Sequence, residues 1–150
     1  MNSKFFFSLL TACIFAGAPF SRAADDTALL TTLGYTTGQS VLLTHMAVGT
    51  IADAFVAKTY KSGEATEVVT TYINITSGMK DQMKKLLAAD SLSKEDARFI
   101  RNTVDVLDLV LEEAEALKEF VTSGDDSDAK AYDTARKQAL KEIKTLLGMK

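Results

Sequence analysis

Ser93-Lys-Glu-Asp-Ala-Arg-Phe-Ile-Arg-Asn-Thr-Val-Asp-Val-Leu-Asp-Leu-Val-Leu-Glu-Glu-Ala-Glu-Ala-Leu-Lys-Glu-Phe-Val-Thr-Ser-Gly124 is a helix whose two ends can be read from the chain. At about 100° per residue, Phe99, Ile100, Thr103, Val104, Val106, Leu107, Val110, Leu111, Ala114, Leu117 and Val121 share one broad arc. Asp105, Asp108, Glu112, Glu115 and Glu119 gather on the other side, and Lys118 is the one charge that falls inside the arc. Ser93 followed by Asp96 forms a shortened capping box, and Gly124 supplies the left-handed residue that closes a helix. So wide an apolar arc has to be covered by other helices, which makes the domain all-α.

Outward from this helix the same period continues on both sides. Between about Glu64 and Ala89, Val68, Tyr72, Ile75, Met79, Met83 and Leu86 form a row at i, i+3 and i+4, with Lys80, Lys84 and Lys85 near the end favoured by the helix dipole. Between about Asp128 and Leu147, Tyr132, Ala135, Ala139, Ile143, Leu146 and Leu147 turn inward and Lys130, Lys137, Lys141 and Lys144 outward. Gln39 to Lys61 is helical with Val41, His45, Val48, Gly49, Ala52, Phe55, Val56 and Thr59 on its principal face, but its back carries Leu43, Ala47, Ile51 and Ala54. A helix apolar nearly all round is covered on more than one side, either by residues 24–38 or by a second subunit. Residues 24–38 leave two options, a short helix capped by Asp25-Asp26-Thr27 and broken at Gly34 and Gly38, or the start of one longer helix. Short connections make neighbouring helices antiparallel, so residues 39–150 are expected to form an up-down-up-down four-helix bundle.

The first 23 residues read as a cleaved signal peptide. A basic Lys4 precedes an apolar run from Phe5 to Ala18, and Pro19 and Ser21-Arg22-Ala23 prepare a cut after Ala23. Leu10-Thr-Ala-Cys13 also matches a lipobox, which would instead anchor a lipoprotein at Cys13. Export to the periplasm or beyond is the expectation, with no transmembrane helix in the mature chain. Lys4 and Arg22 leave with the leader, so 127 residues remain, carrying 15 basic and 20 acidic side chains. That sign gives no electrostatic reason to seek nucleic acid. Without Cys13 no disulfide, thiolate metal site or iron–sulfur cluster is possible.

Catalytic arrangements are missing. There is no nucleophile elbow, no phosphate-binding glycine loop, no zinc spacing and a single histidine, so an enzyme is not expected. The architecture resembles haem-binding four-helix bundles, without their ligand placements. The Leu-Thr-x-x-Gln motif of periplasmic helical chaperones is missing, since Leu30-Thr31 is followed by Thr32-Leu33. In a hairpin turning at Ser62-Gly63, His45 comes level with Met79 and Met83, a soft ligand set for Cu(I) or, as a His/Met pair, for haem iron. Met46 and Met149 are weaker members of this group. The competing reading is a core histidine bonded to a backbone or threonine oxygen, with methionines filling gaps. Gly49 and Gly78 come level in the same hairpin, which favours a close helix crossing. The function expected is that of a non-enzymatic binding or interaction protein, cofactor-free, with a protein partner and a homodimer through helix 39–61. The alternative is a copper- or haem-binding bundle using His45, Met79 and Met83.

Overall fold

The computed structural model describes residues 22–89 and 92–150, with side chains from residue 28 onward. The leader up to Ser21 and the lipobox cysteine lie outside the described residues. Four helices account for nearly all of them: α1 (Arg22–Val56), α2 (Ser62–Ala88), α3 (Lys94–Ser123) and α4 (Asp126–Leu147). Chain contacts separate Met1–Thr32 from Leu33–Lys150. The first unit enters the description only as the opening turns of α1, and the remaining paragraphs concern the second.

The fold class is the one the periodicity requires. All ten arc residues of α3 from Ile100 to Val121 are buried, as are Tyr132, Ala139 and Ile143 of α4. At the start of α3 the Ser93 Oγ accepts from the Asp96 N–H (3.1 Å). The Asp96 carboxylate takes the Ser93 hydroxyl (2.6 Å), because the shorter acid side chain serves the hydroxyl where a glutamate would return to the backbone N–H. Gly124 (φ 73°) and Gly148 (φ 64°) close α3 and α4 in the left-handed conformation. The core divides into two clusters. The first joins Val41, Met83, Ile100, Val104, Val106, Leu107, Val110, Ala139 and Ile143. The second joins Val48, Ile51, Ala52, Ala65, Val69, Ala114, Leu117, Val121 and Tyr132, with Phe55 and Phe120 packed edge to face at 5.4 Å beside it.

Of the two options for residues 24–38, the longer helix is the one observed: Gly34 and Gly38 lie within α1, where Gly34 abuts the Phe99 ring and Gly38 the Leu147 side chain. The other end of α1 stops at Val56 instead of Lys61. Lys58 turns left-handed (φ 59°), the Lys58 N–H donates to the Phe55 carbonyl and the Thr59 N–H to the Ala54 carbonyl. That is a Schellman closure made without glycine. A side chain in this conformation costs about 1–2 kcal/mol, partly offset by the extra chain entropy glycine would lose. Lys58→Gly is therefore expected to raise stability by about 0.5–1 kcal/mol, read as a shift in urea midpoint; an unchanged or lower midpoint contradicts the assignment.

On α2, Val68, Tyr72, Met79, Met83 and Leu86 of the expected row pack in or against the core, but Ile75 is 55% exposed, and Ala65, Val69 and Thr76 are buried as well. Thr76 can take the core position because its hydroxyl donates to the Tyr72 carbonyl (2.7 Å), leaving only its methyl to be packed. On α1, Ile51 is likewise buried in the second cluster, so of the expected apolar back Leu43 is the residue left open.

Candidate functional site

The turn at residues 57–61 sets the heights of α1 and α2. Its centre near residue 59 makes level pairs sum to about 118, where a turn at Ser62-Gly63 would give about 125. His45 therefore comes level with Ile73, and Met79 and Met83 fall about 9 and 15 Å further along α2. Met83 is buried in the first cluster and Met79 packs against it, whereas Met46 and Met149 are exposed. The height match that joined His45 to Met79 and Met83 does not hold. The same shift separates Gly49 from Gly78: a Cβ on Gly78 would meet nothing within 4 Å, while one on Gly49 would strike the Arg136 guanidinium, 1.9 Å from Nη1.

His45 has a different partner. Its Nδ1 shares a hydrogen bond of 2.7 Å with Oε2 of Glu113 on α3, and the pair is almost wholly enclosed, at 4% and 0% exposure. The imidazole is thus bonded to a carboxylate rather than to a backbone or threonine oxygen. Around them stand Gly49 of α1 and Tyr132 and Arg136 of α4. Arg136 lies over the bare Cα of Gly49, and its Nη1 donates to the Tyr132 hydroxyl at 2.7 Å with the guanidinium carbon 6.0 Å from the ring centre. Glu113 Oε1 has no hydrogen-bond partner among the described residues.

Electrostatics follow from this enclosure. Burial pushes the Glu113 carboxyl above the usual carboxylate range, against the hydrogen bond and charge of His45 and the charge of Arg136, which favour its ionised form. Burial also raises the Tyr132 phenol, against the Arg136 hydrogen bond that lowers it. For Arg136, burial opposes the charge, but Tyr132, Glu113 and Asp53 outweigh it and its pKa rises.

A pH dependence follows for Glu113. Because the folded chain holds this proton more tightly than the unfolded chain, the contribution is intact below the ordinary value of 4.5 and is lost as pH climbs through the raised value. Glu113→Gln keeps the shape and cannot ionise. The stability of the wild type minus that of Glu113→Gln is expected to fall as pH rises above about 4.5; a difference that grows with pH would contradict the direction.

Glu113 and Arg136 were missed by the sequence reading although both left a trace. At 100° per residue, Glu113 falls about 20° from Val106 and about 40° from Leu117, inside the apolar arc. Lys118, the charge that stood out, is only half-buried. Across the α3–α4 turn level pairs sum to about 249, which puts Glu113 and Arg136 at one height. The acidic ridge of α3 does turn outward, but its partner is α2: Lys80 donates to Asp108 at 2.7 Å, while Lys137 and Lys141 pair with Asp133 and Glu142 of their own helix.

No group of three or more His, Cys, Asp or Glu side chains converges on a metal position among the described residues. An open groove of about 360 Å³ runs between α3 and α4 past Phe99, Val106, Leu109 and Leu146, with Asp105 and Glu142 also lining it. It does not reach the His45–Glu113 pair.

The outer surface divides by charge. Along α3 the exposed stripe at alternating three- and four-residue steps includes Arg98, Arg101, Asp105, Glu112, Glu115 and Glu119. The equivalent stripe on α1 is Thr36, Gln39, Leu43, Met46 and Thr50. No Asp, Glu, Lys or Arg occurs between residues 27 and 52, nor between 68 and 79 on α2. Even the hydroxyls are bonded within the helix, Thr36 donating to the Leu33 carbonyl, Ser40 to Thr36, Thr44 to Ser40 and Thr50 to Met46. By length and composition Ala28–Val56 could also cross a membrane, although its inner face is spent on the core. No family model, curated protein or solved structure matches the chain.

Proposed function

We propose that this protein is an exported, cofactor-free interaction module that works through the uncharged face of α1 and α2, not through catalysis. The observation that carries the reading is the exposure of Leu43 (63%), Met46 (56%) and Ile75 (55%) on that face. Single exposed apolar residues are ordinary, but Leu43 and Ile75 are level across the hairpin and Met46 is one turn away. At that spacing three large apolar side chains share a stretch of surface without charge, and apolar patches of this kind mark contacts. The His45–Glu113 junction belongs to the scaffold in this reading: it is closed to a substrate, and it fixes α1, and with it the patch, against α3 and α4.

A photoreactive side chain placed at position 43, with position 115 on the charged stripe as control, tests the reading in the protein's own compartment. Protein adducts at 43 and few at 115 support it; equal yields, or none at 43, overturn it. Export is tested by intact mass, with the mature chain expected to begin at Ala24 and an uncleaved chain confined to the cytoplasm counting against it.

A further inference from the structure

We infer that the α1–α2 face is the two-fold interface of a homodimer in which α1 of one copy runs antiparallel to α1 of the other, an inference that rests on the interaction reading above. The occupant is identified by charge. The chain is acidic, with a formal net charge of −3. Two copies approaching through α3 would oppose like-charged ridges, whereas residues 27–52 and 68–79 carry no Asp, Glu, Lys or Arg at all. This face therefore lets identical molecules meet without repulsion.

Charge also fixes the direction. Asp53 is the first acid to return to the α1 stripe, one step past Thr50, and it is exposed. A parallel, in-register pairing would set Asp53 against Asp53 of the second copy. An antiparallel pairing centred between Leu43 and Met46 sets Leu43 against Met46, Gln39 against Thr50 and Asp53 against Thr36, so no acid meets its copy. The hydroxyl protons of Thr36 and Thr50 are already given to carbonyls of their own helix, so neither needs an acceptor from the partner. Gly78, with open space at its Cβ position, lets the second copy come close beside Ile75.

Two helix widths of about 10 Å each and about 25 Å of length give a footprint on the order of 500 Å² per copy. That is about 1,000 Å² in all, the range of weak and transient interfaces, so a reversible monomer–dimer equilibrium is expected.

The test uses the protein purified after export, beginning at Ala24 and carrying no cysteine, in sedimentation equilibrium. The mass is expected to double between about 1 and about 100 µM, and Leu43→Lys with Ile75→Lys to keep the helical circular dichroism while removing the dimer at least 100-fold in affinity. For direction, equimolar Leu43→Cys and Met46→Cys chains are mixed and oxidised. Random pairing makes the mixed disulfide equal to the two symmetric ones together, so the antiparallel register is expected to give a clear excess over that sum, and a statistical mixture or a dominant Leu43→Cys symmetric disulfide overturns it. A wild type monomeric at about 100 µM, or a dimer untouched by the two lysines, overturns the homodimer. If a monomer is found while position 43 still yields adducts of foreign mass, only the second-copy assignment fails. If position 43 yields none, the interaction reading fails with it.

Discussion

Replacing His45 by leucine is expected to destabilise the protein by about 3–5 kcal/mol, the cost of leaving a buried carboxylate without its partner. Glu113 is wholly enclosed, its Oε1 has no hydrogen-bond partner among the described residues, and the lost imidazole would remove the hydrogen bond on Oε2 as well. Arg136 would remain as a more distant positive charge. The carboxyl can relieve part of the cost by taking up a proton, so the loss is expected to be larger at about pH 8 than at about pH 5. Removing both partners together behaves differently, because an apolar pair of similar volume carries no desolvation penalty. His45→Leu with Glu113→Leu is expected to return to within about 1 kcal/mol of the wild type or to exceed it. Urea unfolding of the two singles and the double completes the cycle. A His45→Leu protein within about 1 kcal/mol of wild type at about pH 8 would mean that the pair does not hold α1 in place.

The second large effect lies on α3. Leu107 is 1% exposed at the centre of the first cluster, between Val104, Val110 and Ile143. Leu107→Ala removes buried methyl groups and leaves a cavity that three rigid neighbouring helices close only in part, for a loss of about 2–5 kcal/mol. Leu43→Ala removes the same atoms from an open surface and is expected to change the stability of the monomer by less than about 0.5 kcal/mol. Thermal unfolding of both variants in dilute solution makes the comparison. If the two lose similar amounts, the division into core and contact face is wrong.

How far the chain could be read depended on whether burial and residue class agreed. On α3 they agree over ten positions, and a serine and a glycine mark the ends, so its face and length follow directly. Glu113 breaks that agreement: its angular position is that of a core residue and its side chain that of a surface one, and the charge masked the angle. Thr76 and Ile75 break it the other way, the hydroxylated residue going inside because its own helix satisfies it. The closure at Lys58 carries no glycine and left no mark in the sequence. That one turn had wide consequences, because moving it shifted every cross-helix height on α1 and α2, and with it the match of His45 to Met79 and Met83.

The chain contains a single histidine, and that histidine is the ring at the junction of α1 with α3. Every imidazole resonance in a nuclear magnetic resonance spectrum therefore comes from this one joint, without assignment. Its Nδ1 lies 2.7 Å from the Glu113 oxygen, and the proton shared between them is shielded from exchange with bulk water for as long as α1 stays seated. The protein thus carries its own label for the detachment of its first helix, and the lifetime of one downfield signal measures how often that helix lifts.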